Sequence, residues 1–465
     1  MIQSLRERLT LVFLALLPLH ALLVTAGTKL LTGKGHAPLA VLALWKEAFL
    51  AVILCIAVVE VIRSRRFRMD VLDGLILALL LAGIFVTAAT HRDVKLALLG
   101  FRYDFIPLVA FLVARRVQWS EAFQRMAFKV LLGIGVIVSA YGILTAFLPM
   151  RFFLWLGYSP AHSLYFADGP VAAFQQVSDT GLRRIQSTMS GPNQFGLWLL
   201  IPLSVAMVKF SSRKSISYQL SALSLVVVTA LFLTFSRTAW IAAFVMALVT
   251  ILKSVPRRYL KGVAAGAVLI VVAVAIVASL AFPSIFFRLS SSRGHLTRPL
   301  QAMGRMINHP LGEGLGAAGP ASNRVSETCV FLRPQDDPSW AKTTPRLCVF
   351  LGSTQVQPAD HVCRCPFLPE NWYLQIGIEM GVLGFLLFVA LIVLVLRRLG
   401  TREIGNSGNR EPGSAMFLAF LGISIASLFL HAWEDSAVAY TVWLLSASAL
   451  TDPRGRASWV SRHRS

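Results

Sequence analysis

About a dozen stretches of this chain are apolar over the roughly 20 residues that a helix needs to cross the hydrocarbon core of a bilayer. They are 9–26, 38–62, 71–90, 95–114, 128–148, 192–210, 217–235, 237–253, 260–281, 372–396, 414–431 and 436–451. This repetition constrains the fold more than any other feature. Backbone in hydrocarbon must satisfy its own hydrogen bonds, and a helix does so within one segment. The expected fold is an all-α polytopic membrane protein with about twelve transmembrane helices. Only 14% of residues are charged and 56% are hydrophobic, whereas a soluble domain carries about 25% charged residues.

Basic residues then set the topology. With the N-terminus in the cytoplasm, the cytoplasmic segments hold 25 Lys and Arg, and the short loops on the other side hold five. The bias places both termini in the cytoplasm and requires an even number of spans. The net charge of +22 therefore reads as a topology signal rather than a nucleic-acid footprint. Residues 1–26 resemble a signal peptide, but no small-x-small cleavage site follows, so an uncleaved first span is expected. The expected organisation is N-terminal spans over 1–148, a first long loop on the non-cytoplasmic side over 149–191 and central spans over 192–281. A large loop on the same side over 282–371 follows, then C-terminal spans and a cytoplasmic tail over 372–465.

The 282–371 loop is polar and holds four of the five cysteines, eight arginines and one lysine. Cys329, Cys348, Cys363 and Cys365 in such a loop point to two disulfides. Cys363 and Cys365 are one residue apart and poorly placed to pair with each other, so each is expected to pair with Cys329 or Cys348. Zinc, with His361 adding a ligand, is the competing reading, although the spacing matches no common structural zinc pattern. Cys55, in the second span, reads as a packing residue.

Several polar groups stand where charge is costly. Arg183 and Arg184 precede Ser190-Gly191-Pro192-Asn193 at the mouth of a span, and guanidinium groups beside a helix N-terminus make an anion site. Headgroup-facing arginines are the bland alternative. Arg237 interrupts two apolar runs, as a wetted turn or as a ligand contact. Leu296, Leu300, Met303 and Ile307 form a helical stripe ending at Pro310, which suggests a short helix at the membrane surface. Gly312, Gly314 and Gly316 form turns or a phosphate nest. Glu370 begins the next span, either as a helix-terminal carboxylate or as a proton acceptor. Asn371 and Tyr373 are placed to orient a polar substrate. Glu379 reads as structural, and Asp104 is expected to pair with Arg102. No His-Glu-x-x-His, Gly-x-Ser-x-Gly, P-loop or paired-carboxylate metal motif occurs, so no metal or cofactor is expected.

In order, Arg184-Ile185-Gln186-Ser187-Thr188-Met189-Ser190-Gly191-Pro192-Asn193, Leu233-Thr234-Phe235-Ser236-Arg237, Arg293 with the helix running to His309-Pro310-Leu311-Gly312-Glu313-Gly314-Leu315-Gly316, and Glu370-Asn371-Trp372-Tyr373-Leu374-Gln375 through Gly384 resemble the O-antigen ligase and O-antigen polymerase superfamily. The resemblance covers roughly residues 180–390. It implies a GT-C-like glycosyltransferase of the bacterial inner membrane, working at the periplasmic face. Such an enzyme takes a glycan from undecaprenyl pyrophosphate and moves it to lipid A–core (ligase) or to a second lipid-linked glycan (polymerase). It implies phosphate-binding roles for Arg184, Arg237 and Arg293, with Arg183 beside them, and contacts to glycan or acceptor for Asn193, Asn371 and Tyr373. Ligases often carry His at the position of Glu370, which makes Glu370, or His361 from the loop, the candidate base. A transporter is the rival class. It needs ionisable residues near the midplane of several spans, and here the basic residues gather at the outer mouth.

Overall fold

A computed structural model describes residues 1–33, 38–64, 69–159, 182–212, 218–259, 289–327, 329–332, 335–343, 347–352, 354–405 and 410–451, with a few isolated positions between them. The expected span 260–281, most of 160–181, the tail 452–465 and the side chain of Arg293 lie outside the described residues.

The described chain is almost entirely helical. Helix α1 (Ile2–Leu16) continues through a short turn into α2 (His20–Thr32), followed by α3 (Ala40–Ser64), α4 (Val71–Ala89), α5 (Val94–Asp104), α6 (Ile106–Ala114), α7 (Glu121–Phe147) and α8 (Met150–Trp155). Then come α9 (Pro192–Ser212), α10 (Tyr218–Leu233), α11 (Arg237–Ser254), α12 (Leu289–Asn308), α13 (Gly319–Val325), α14 (Trp372–Gly405), α15 (Arg410–Ala426) and α16 (Ser436–Leu450). Among the described residues, 6 helices are long and apolar enough to cross a membrane, or 7 if the bent pair α5–α6 is one span. Helices α10, α15 and α16 are apolar but shorter. The architecture is that of an all-α, multi-pass membrane protein.

Local chemistry sets several boundaries. Asp70 and Asp73 close a reciprocal capping box at the start of α4, and Ser120 and Asp435 accept backbone N–H bonds at the starts of α7 and α16. Each satisfies donors that the first helical turn leaves free. Helices α5 and α6 meet at 45° where Pro107 enters the first turn of α6. Its ring cannot extend the α5 hydrogen-bond ladder. The core is one large aromatic and aliphatic cluster that includes Phe13, Phe111, Trp198, Phe420 and Trp443. Cys55 does not belong to it and is exposed on α3.

Arg102 and Asp104 do not pair. Residues two apart on a helix do not face each other. Arg102 instead reaches Glu47 at 2.6 Å, and Asp104 accepts from the Gln375 side chain at 3.3 Å.

Charge gathers at the two ends of the bundle. At one end Arg6 meets Glu60 at 3.1 Å, Arg115 meets Asp70 at 2.5 Å and Asp73 at 2.9 Å, and Arg398 also pairs with Asp70. The other end carries the segment between α12 and α14. There, Gly312, Gly314 and Gly316 all have positive φ (92°, 90° and 80°). The run docks into a break in α14 at Gly381, whose φ is 72°. The amides of Glu313 and Gly314 donate to the carbonyls of Ile378 and Glu379. The amides of Gly316 and Ala318 donate to the buried carboxyl group of Glu379 at 3.1 and 3.4 Å. The group that fills this glycine nest is therefore the protein's own.

Helix α12 packs Ala302 and Met306 beside Ala317, Leu374 and Ile378, while Leu300, Met303 and Ile307 stay exposed. Beyond α13, a sheet of β1 (Cys329–Leu332), β2 (Cys348–Leu351) and β3 (Thr354–Gln357) pairs β1 parallel and β3 antiparallel to β2. Disulfides join Cys329 to Cys365 and Cys348 to Cys363.

Two outcomes follow. Peptide mapping of non-reduced protein should recover the Cys329–Cys365 and Cys348–Cys363 linkages; any other pairing contradicts this loop. Gly312→Ala should lower the thermal midpoint in detergent. Its Cβ would lie 2.6 Å from both the Glu379 carbonyl and the Gly381 amide nitrogen, on top of a left-handed backbone cost of about 1–2 kcal/mol.

Candidate functional site

At the end opposite the Arg115–Asp70 cluster, a cavity of about 660 Å³ opens between the starts of α9 and α11 and the loop 427–435. Its lining includes Arg184, Asn193, Arg237, Glu370, His431 and Glu434.

Arg184 enters on irregular backbone laid among the spans. Thr188 donates from its hydroxyl to the Pro18 carbonyl at 2.6 Å, and Ser187 does so to Val138 at 2.6 Å. Non-helical backbone at this depth is tolerated where it is buried in protein or lines a cavity. Arg184 is 8% exposed, and its guanidinium donates to the Thr234 carbonyl at 2.9 Å, the Gln175 side chain at 3.1 Å and Asn193 Oδ1 at 2.7 Å. Three separate segments thus hold one planar cation.

Arg237 is the first residue of α11, after a turn in which Phe235 has φ 50°. Asn193 and Gln194 lie in the first turn of α9 and line the same cavity. Two helix N-termini, each with free N–H groups and a partial positive charge, therefore add to two guanidiniums. This arrangement suits an anion with several oxygens.

The other sequence-derived candidates fall in different places. Adjacent residues of extended backbone point to opposite sides. Accordingly, Arg183 turns away from the cavity, donating to the carbonyls of Thr145 and Leu148 at 3.1 and 3.0 Å and lying 4.6 Å over the Phe153 ring. Arg293 sits in the first turns of α12. Asn371 caps the start of α14 and donates to the Leu428 carbonyl at 3.0 Å. The Tyr373 hydroxyl donates to the Ser424 carbonyl at 2.8 Å. Both thus join α14 to the end of α15 and line neither large cavity. His361 lies in the disulfide loop between Glu327 at 2.6 Å and Asp360 at 2.9 Å. Hydrogen bonding to Glu327, then Asp360, raises its pKa. It too lines neither cavity. Glu327, His361, Cys348 and Cys363 cluster closely enough to suggest a metal, but both cysteines are in disulfides and offer no thiolate.

Glu370 stands at the cavity with φ 52° and is ion-paired with Arg298. Across from it is His431, which sequence reading passed over. Its Nε2 is buried and has no hydrogen-bond partner among the described residues. Burial pulls its pKa down to about 4 against the opposing charge of Glu370, so the ring is neutral at pH 7. Glu434 was also missed. Burial, then the charge of Asp435, lifts its pKa to about 8. The signal was present in the sequence, since His431, Glu434 and Asp435 crowd the short gap between two apolar runs.

No family model matches this chain. It is 32% identical over 80 residues to a protein of Rickettsia bellii (strain RML369-C) described as "Putative polysaccharide ligase". The match covers 17% of this chain and 19% of that protein.

Asn193→Ala should weaken the binding of inorganic pyrophosphate to purified protein about tenfold. It removes one charge-assisted hydrogen bond to Arg184, worth about 1.5–3 kcal/mol. Unchanged affinity by calorimetry would show that Asn193 does not position the guanidinium.

Proposed function

We propose that the protein is a glycosyltransferase facing the periplasm. It would move a glycan from undecaprenyl pyrophosphate to an acceptor hydroxyl, as an O-antigen ligase does with lipid A–core. The observation that carries this reading is the convergence of Arg184 and Arg237 on one cavity, with Arg184 locked by three bonds from three segments. The relative's printed description, a polysaccharide ligase, supports the reaction class.

The chemistry follows from charge. When the bond between the anomeric carbon and the pyrophosphate oxygen breaks, negative charge grows on the leaving group. Cations and N–H dipoles already fixed around that position need no reorganisation and stabilise the transition state most. Arg184 offers a planar fork and Arg237 a second guanidinium at a helix N-terminus, so the charge is met by side chains of the chain itself. The lipid tail would enter between spans, and a nucleotide sugar is not required. The exposed side of α12 (Leu300, Met303, Ile307) would rest on the membrane surface.

Arg184→Ala and Arg237→Ala should each reduce transfer at least about a hundredfold, as loss of a transition-state donor commonly does, while membrane insertion is kept. The decisive assay is reconstitution with undecaprenyl-pyrophosphate glycan, with and without lipid A–core. Glycan on lipid A–core marks a ligase. Lengthened lipid-linked glycan marks a polymerase. Full transfer by both arginine variants would reject the anion clamp.

A further inference from the structure

A second cavity, of about 560 Å³, adjoins the first. Its charged lining comprises Lys46 and Glu47 of α3, Arg102 of α5, Arg324 of α13, and Glu434 and Asp435. Glu47 holds Lys46 at 3.0 Å and Arg102 at 2.6 Å. His20 of α2 also faces it, with its Nδ1 buried and without a hydrogen-bond partner among the described residues. Tyr103, Trp433 and Tyr440 supply aromatic surface.

The two chambers differ in what they can bind. In the second, three basic side chains stand among three carboxyl groups, two of which, Glu434 and Asp435, have raised pKa values, so the lining offers both donors and acceptors. That suits a hydroxyl-rich, uncharged sugar better than a pyrophosphate. Aromatic walls with a few convergent polar groups are the usual lining of such a small-molecule site. Three residues line both chambers: Gln175, Gln194 and Glu434. Only one of the three can ionise.

Resting on the glycosyl-transfer reading above, we propose that the second chamber holds the acceptor sugar and that Glu434, where the chambers meet, is the catalytic base. The acceptor hydroxyl oxygen forms a bond to the anomeric carbon of the donor glycan. The bond from that carbon to the pyrophosphate oxygen breaks, and its electron pair leaves with undecaprenyl pyrophosphate, which Arg184 and Arg237 receive. The hydroxyl proton passes to the Glu434 carboxylate and is later lost to water. Glu370, already paired with Arg298, remains a wall of the donor chamber.

The proton balance gives a distinctive pH profile. Glu434 must be ionised to accept a proton, and its pKa is raised to about 8. The rate should therefore rise as pH rises through that value and level off above it. The charged groups facing Glu434 from the donor chamber are Arg184, Arg237 and Glu370, with His431 on its own loop. From the acceptor chamber they are Lys46, Glu47, Arg102 and Arg324, with Asp435 beside it and His20 opposite. His431, already neutral with its pKa held at about 4, adds no limb there.

The test uses the full chain in proteoliposomes with undecaprenyl-pyrophosphate glycan and whichever acceptor, lipid A–core or a second lipid-linked glycan, the wild type uses. Glu434→Gln should lower kcat at least about a hundredfold, within the usual range for a general base. It should leave donor Kd within twofold and abolish the alkaline rise. Glu434→Asp should restore part of the rate together with the rise. Lys46→Met should raise the KM for acceptor about tenfold without moving donor Kd. Wild-type kcat in Glu434→Gln, or a fall in kcat that tracks lost donor binding, would overturn the assignment of the base. A donor Kd moved by Lys46→Met, with acceptor KM unchanged, would overturn the acceptor chamber. Donor binding that does not depend on Arg184 would instead reject the glycosyl-transfer reading, and this inference with it.

Discussion

Backbone N–H and C=O groups away from water must find partners inside the protein, and the described irregular segments around residues 184–191 and 312–318 are arranged around that demand. Glu379 shows how it is met. Its carboxyl group is fully buried on α14, two residues before the break at Gly381. It takes the amides of Gly316 and Ala318, which no helix could satisfy. The glycine run can then lie against α14, because a side chain at Gly312 would collide with α14 backbone. Arg324 on α13 lines one cavity and Glu370, just before α14, the other.

The same economy of partners governs the charges. At one end of the bundle, arginines and acids neutralise one another directly, as Asp70 does with Arg115 and Arg398. At the other, Arg184 is held by a carbonyl and two neutral amide side chains, Gln175 and Asn193. These acceptors fix the direction of the guanidinium at the cavity wall. In the second cavity Glu47 instead pairs directly with both Lys46 and Arg102.

Much of the helical framework was legible in the sequence, because apolar length is a local signal, whereas the caps at Asp70, Ser120 and Asp435 emerged only in the structure. Arg184 and Arg237 were legible too, since a charge between apolar runs is costly unless it has a use. Arg183 looked equivalent to Arg184, yet the alternation of an extended segment sends it to the Phe153 ring. Asp104 and Arg102 looked like partners by proximity in the chain, and helical geometry separates them. Asn371 and Tyr373 looked like substrate contacts and instead join α14 to α15. His431 and Glu434 were passed over because their short connection lacks the length that marked the other loops.

By itself, the order of residues determined that this chain is a helical membrane protein, roughly where several of its apolar helices lie, and which arginines stand at costly positions. Those properties depend on neighbours within a few turns of the same helix. Which side chains share a cavity was decided only by tertiary structure. Arg184, Arg237 and Glu434 are brought together by packing between α9, α11, α15 and α16. Whether Glu379 or an outside anion fills the glycine nest was decided in the same way. Both outcomes turn on contacts between residues far apart in sequence, which no local pattern records.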